Sequence, residues 1–225
     1  MPTPSTPGYT LFRGRTCCTC LAAWLPVFEA ELIRRGVIRD SIDIAQLTGN
    51  AEASGDTHSQ GGAFDIWQHD DVTVWVARQM GAPATWARTT GSFATNRHTH
   101  GVLSGCPHNG PARYQIADVW ADDDGLLGDT PDPGPRPIPD RTWRQGIAWA
   151  RQQQEDDMSQ YADQLDRIEA ATTKTVRMLE RQRTLARVLA TRIKTTIEKG
   201  HDVTEAELEQ LHLDVADLTS ALEDD

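Results

Sequence analysis

All twelve prolines of this chain lie at or before Pro139, and five of them fall between Pro131 and Pro139. That distribution divides the chain before any motif is read. A stretch without proline can stay helical over a long distance. A stretch dense in proline and aspartate cannot supply the apolar surface a core needs. The strap ADDDGLLGDTPDPGPRPIPD, residues 121–140, is expected to run extended over a surface. After it, RTWRQGIAWA (141–150) restarts a helix-like pattern, with Trp143, Ile147 and Ala150 placed to dock. The organisation expected is a domain over 1–120, a strap and docking segment over 121–150, and a helical tail over 151–225.

Within the tail, Met158, Tyr161, Leu165, Ile168, Leu179, Leu189 and Ile193 recur at a 3–4 spacing. Thr172, Thr175, Gln182, Ala186 and Thr196 fill the same stripe, so the seam is heptad-like with a polar middle. Gly200 breaks the pattern, and Thr204-Glu205-Ala206-Glu207 is a capping box that opens a second helix with Leu208, Leu211, Val215, Leu218 and Leu222 on one face. From Lys174 to Lys199 eight basic residues stand against Glu180 and Glu198, a net of +6; from Asp202 to Asp225 nine acidic residues meet no Lys or Arg, a net of −9. This opposition favours an antiparallel helical hairpin, with a parallel oligomer of solvated helices as the alternative. Either form offers a surface for a homo-oligomer or for another protein.

The formal net charge of −11 excludes a general nucleic-acid binder, which needs a basic face for phosphates. The N-terminal MPTPSTPGYT has no basic region, and the apolar stretch from Leu21 to Phe28 is short and broken by Pro26, so neither a signal peptide nor a membrane span is expected. Apolar positions Leu21, Trp24, Leu25, Phe28 and Leu32 predict a helix over Cys20–Arg35. Val72, Trp75, Val76 and Met80 predict a second over Val72–Met80. The segments Ala63–Trp67 and Thr99–Leu103 are strand-like. Of the four cysteines, Cys17, Cys18 and Cys20 cluster and Cys106 stands alone. C-C-x-C lacks the paired C-x-x-C spacing of a zinc knuckle, and the expectation is reduced, half-buried thiols, with a disulfide to Cys106 left open.

The segment SGDTHSQGGAFDIW bears the chemistry. His58-x-x-Gly61-x-Ala63-x-Asp65 sets a His and an Asp seven residues apart around two glycines that let the backbone bend. Zinc takes nitrogen from neutral His and oxygen from Asp, and a catalytic site uses three protein ligands with one place left for water. The third ligand is expected from NRHTHGVLSGCPH, where His98 and His100 point to one face of a strand. One would bind the metal, and the other would stand beside it. Cys106 and His108 are expected as supporting groups near this site.

These residues resemble the zinc peptidases of the D-Ala-D-Ala carboxypeptidase and L-Ala-D-Glu endopeptidase clan, which share a fold with lysostaphin-type enzymes and the Sonic hedgehog N-terminal domain. His58, Gly61, Ala63 and Asp65 match the clan's His-x-x-Gly-x-Ala-x-Asp position by position. The resemblance implies an α+β fold with a small antiparallel sheet, Zn2+ held by His58, Asp65 and His100, and His98 as the catalytic assistant. It implies a peptidoglycan stem peptide containing D-amino acids as substrate. Residues 9–150 also resemble peptidase-like proteins of phages that infect actinobacteria, which implies an endolysin or a virion-borne wall hydrolase. Such a protein would reside in the virion, or in the host cytoplasm before release to the wall. A structural virion protein that keeps the fold is the alternative. One position departs from the clan: where many members carry an acidic general base three residues before the last ligand, this chain has Arg97, expected to contact an anion or oxyanion.

Overall fold

The computed structural model describes residues 2–49, 56–126, 130–198 and 204–223. By internal packing the chain falls into two compact units, Met1–Asp157 and Met158–Asp225. The first is α+β with two small antiparallel sheets.

A two-stranded hairpin opens it, β1 (Tyr9–Phe12) pairing with β2 (Arg15–Cys18). Arg13 and Gly14 both take positive φ, the geometry of a two-residue turn matched to strand twist. Helix α1 (Thr19–Arg34) follows at once and runs through Pro26. An internal proline costs a helix about 3 kcal/mol. Here Leu21, Trp24, Leu25, Phe28 and Leu32 are all fully buried on one face and offset it.

The second sheet has the order β3-β4-β6-β5, from β3 (Ile44–Gln46), β4 (Ala63–Ile66), β5 (Ala84–Arg88) and β6 (His98–Val102), all antiparallel neighbours. Helix α2 (Asp71–Gln79) lies between β4 and β5 in sequence, capped by Asp70, whose carboxylate accepts from the Thr73 amide at 2.9 Å. The central strands are buried on both faces. Phe64 and Ile66 of one face join Trp24 and Phe28 in the main core. The opposite face carries Ala63, Ala84, Trp86 and Val102, which pack with Ala112 and with Val119 of helix α3 (Arg113–Trp120). The same face holds the polar residues of the site.

The strap is more deeply anchored than its composition suggests. Asp132 and Arg78 form a doubly hydrogen-bonded ion pair with no side-chain exposure on either partner, at 2.7 and 3.0 Å. Trp86 and the Gly134 amide donate to the same carboxylate. Trp143 and Ala150 are buried, and the chain enters α4 (Trp143–Glu198) through a capping box in which Gln145 accepts from the Thr142 amide at 2.8 Å. This helix therefore begins inside the first unit.

In the second unit, α4 continues and α5 (Glu205–Glu223) begins at the expected capping box, with Glu207 accepting from the Thr204 amide at 3.1 Å. The reversal at Gly200 lies outside the described residues, as do the side chains of Leu211, Leu218 and Leu222. Met158, Tyr161, Leu165, Ile168, Leu179 and Ile193 of the seam stay exposed in the single chain, so α5 does not cover them. The threonines of its polar middle are satisfied locally: Thr172 and Thr175 donate to the carbonyls of Ile168 and Ala171. No helix among the described residues is long and apolar enough to cross a membrane.

Candidate metal centre

The sheet register assembles the site. Asp65 of β4 is paired with His100 of β6, and His100 in turn with Trp86 of β5, while His98 is paired with Arg88. Cross-strand partners share a face, so Asp65, His98, His100, Trp86 and Arg88 all project to the side covered by α3. His58 enters from the turn that precedes β4, whose ends are tied by the Gly49 amide donating to the His58 carbonyl at 2.9 Å.

His58 Nε2 and Asp65 Oδ1 lie 3.2 Å apart, His100 Nδ1 and Asp65 Oδ1 2.8 Å, and His58 Nε2 and His100 Nδ1 3.2 Å. All three residues are buried, and together they could hold a metal ion. The triangle is close to the edge of about 3.3 Å that nitrogen and oxygen ligands make around a tetrahedral ion at 2.0–2.1 Å.

The outer hydrogen bonds determine where the protons are. His58 Nδ1 faces the Leu47 carbonyl at 2.8 Å. A carbonyl only accepts, so Nδ1 holds the proton and Nε2 presents a lone pair. His100 Nε2 faces the Gln115 carboxamide oxygen at 2.8 Å, and the other end of that amide donates to the Gly125 carbonyl, which fixes its orientation. His100 therefore donates from Nε2 and presents a lone pair at Nδ1. Burial pushes His100 down from ordinary histidine, against the Asp65 carboxylate beside it. Three acceptor atoms thus converge without a proton among them, an arrangement that a cation resolves.

His98 stands beside the triad, its Nε2 4.0 Å from Asp65 Oδ1. Its Nδ1 donates to the Asn96 carbonyl at 2.7 Å, which leaves Nε2 as the acceptor facing the site, and Phe93 packs edge-on against the ring. The His-x-His spacing thus places both rings on one face, as expected. No family model, curated protein or solved structure matches the chain.

Arg97 is exposed, and no hydrogen bond or ion pair among the described residues ties it to the triad. The cation buried near the site is Arg88, opposite His98, donating to the Asp124 carbonyl at 2.7 Å. Trp86 lies parallel to the His100 ring, 7° between planes. Sequence reasoning missed Gln115, Arg88 and Trp86. The Trp-x-Arg alternation of Trp86 and Arg88 was the available signal for the last two, while Gln115 carries none. Cys106 and His108 make no hydrogen bond to His58, Asp65 or His100. They lie with Cys18 and Cys20, on the far side of the turn between His58 and Asp65.

Proposed function

We propose that the chain is a zinc-dependent peptidase acting on the stem peptide of bacterial peptidoglycan. The observation that carries this reading is the convergence of three lone-pair donors, His58 Nε2, Asp65 Oδ1 and His100 Nδ1, with a third imidazole, that of His98, 4.0 Å from the carboxylate. Two nitrogens and one oxygen are the donor set that zinc takes in catalytic sites, and three protein ligands leave a place for a substrate atom. The ion would supply a Lewis acid that activates water and polarises the scissile carbonyl. His98 accepts the proton of the attacking water at Nε2 and returns it to the leaving amine, in the role that an acidic residue would fill at position 97. Asn96 holds the His98 ring in the tautomer this requires. The D-amino-acid substrate follows from the resemblance of the His-x-x-Gly-x-Ala-x-Asp segment, and so does a place in a phage lysin or virion.

A second reading, a virion structural protein with a weakly active or inactive domain, is favoured by the exposed apolar seam of α4 and by Arg97 in place of an acid. Digestion of purified peptidoglycan, with mass analysis of the products and with and without chelator, separates the two. Metal-dependent release of cleaved stem peptides supports the enzyme, and intact wall after zinc loading overturns it.

A further inference from the structure

Outside the site described above, three of the four cysteines come together with one histidine. Cys18 closes β2, Cys20 sits in the first turn of α1, and Cys106 and His108 lie in the loop after β6. The Cys18 and Cys106 sulfurs, 88 residues apart in sequence, are 3.7 Å from each other. His108 Nδ1 is 3.8 Å from the Cys20 sulfur and 3.8 Å from that of Cys106. All four donor atoms lie within 4.8 Å of one another, the three cysteines buried and His108 half-buried.

These separations suit one chemistry. A disulfide needs sulfurs at about 2.05 Å, and all four cysteines are free. Ligands on a tetrahedral zinc ion, with Zn–S about 2.3 Å and Zn–N about 2.0–2.1 Å, stand about 3.8 Å apart sulfur to sulfur and about 3.6 Å sulfur to nitrogen. Simple burial of thiols as small apolar groups accounts for Cys17, adjacent in the strand but turned to the other face, and not for three sulfurs and a ring nitrogen converging. Local electrostatics agree: Cys18 is the N-cap of α1, where the helix dipole favours an anion.

We propose that Cys18, Cys20, Cys106 and His108 form a second metal centre, a closed Cys3His zinc site with a structural role. Binding releases the three thiol protons to solvent and leaves three thiolates and a neutral imidazole on the ion. Four protein ligands leave no place for substrate, in contrast to the triad of His58, Asp65 and His100. The centre pins the start of α1 to the loop after β6, and it backs the turn between the first two ligands of the triad. The Gly61 amide donates to the His108 carbonyl at 2.8 Å. A Cβ at Gly61 would stand 2.8 Å from that of Cys18, and one at Gly62 3.2 Å from the Cys106 sulfur.

The proposal is independent of the peptidase reading, and its test does not use activity. The full chain, purified with zinc, should hold two ions by elemental analysis and native mass spectrometry. The double variant His58→Ala, His100→Ala should hold one. Cobalt(II) loaded into either protein should give thiolate-to-cobalt charge-transfer absorption, to which the sulfur-free triad contributes nothing. Cys106→Ser should abolish that band. His108→Cys should keep it with four thiolates, and Cys17→Ser should leave it unchanged, so a folding failure of Cys106→Ser does not blunt the test. A sulfur-free cobalt spectrum in the wild-type chain overturns the proposal, as does a Cys18–Cys106 disulfide, or retention of the band in a folded Cys106→Ser variant. A wild-type chain with one zinc and the thiolate band would support this centre and count against the triad.

Discussion

Gln115 of α3 turns its carboxamide oxygen to Nε2 of His100 at 2.8 Å, and its nitrogen to the Gly125 carbonyl at 3.1 Å. One side chain therefore selects the tautomer in which His100 offers Nδ1 to Asp65 and His58. Outer partners of this kind typically change metal affinity 10–100-fold when removed. Gln115→Leu should weaken zinc binding by about that factor in competition with a chromophoric chelator. Gln115→Glu, which still accepts from Nε2, should retain most of it.

On the proposed reading, His98, its Nε2 4.0 Å from Asp65 Oδ1, moves a proton without holding the ion. His98→Ala should keep the zinc of the triad and lose wall cutting by about a hundredfold or more. Metal analysis and peptidoglycan digestion on the same preparation check both halves. Loss of that zinc would make His98 a ligand instead.

The Asp132 carboxylate accepts from Arg78 through both oxygens and from Trp86, and the pair has no exposure. Asp132→Ala leaves a buried guanidinium without its counter-ion, a change worth about 3–5 kcal/mol. It should lower the thermal midpoint sharply, whereas Arg136→Ala, whose side chain is nearly half exposed, should shift it little.

Glu31 is buried in α1. Burial works against its charge, but hydrogen bonds from Arg34 and Arg35 outweigh that and hold its carboxyl below the ordinary value. A depressed carboxyl contributes stability above its unfolded pKa, about 4.3, and loses it as pH falls through the folded value. Glu31→Gln should therefore cost about 1–3 kcal/mol at pH 7. The gap to the wild type should close only below about pH 4.3. Denaturant unfolding at pH 7 and pH 3 checks the sign.

The exposed seam of α4 predicts self-association. The full chain should form oligomers in light scattering, while a chain ending at Asp157 stays monomeric and folded. A monomeric full-length protein at high micromolar concentration would rule out the oligomer.

The cluster of His58, Asp65 and His100, which could hold a metal ion, was legible because His58, Asp65 and two glycines fall in one short segment, and because a two-residue step on a strand fixes which face His98 and His100 share. Helices α1 and α2 were legible from the spacing of Trp24, Phe28 and Leu32 and of Val76 and Met80. The hairpin before α1 was not, although Arg13-Gly14 is a two-residue turn. Strand β5 was not either, since ATWAR is buried on both faces and shows no alternation of apolar and polar residues. The cysteines misled through the template used: C-x-x-C was sought, whereas the chain offers Cys18-x-Cys20 and Cys106-x-His108, two half-sites whose meeting only the tertiary fold reveals. The strap's composition correctly excluded a core of its own but could not show that Asp132 would find Arg78.

The strap has a bearing on how the protein is made. His100 rests against Trp86, and Trp86 donates to Asp132, a residue synthesised well after the last member of the triad. Trp143 then seats its amide on the Ser104 carbonyl. A nascent chain that has exposed His58, Asp65 and His100 still lacks the groups that brace them, and domains settle as units once their closing segments emerge. On the proposed reading, cutting competence should therefore arise late in translation, which would keep an unfinished chain from acting on its substrate while still on the ribosome.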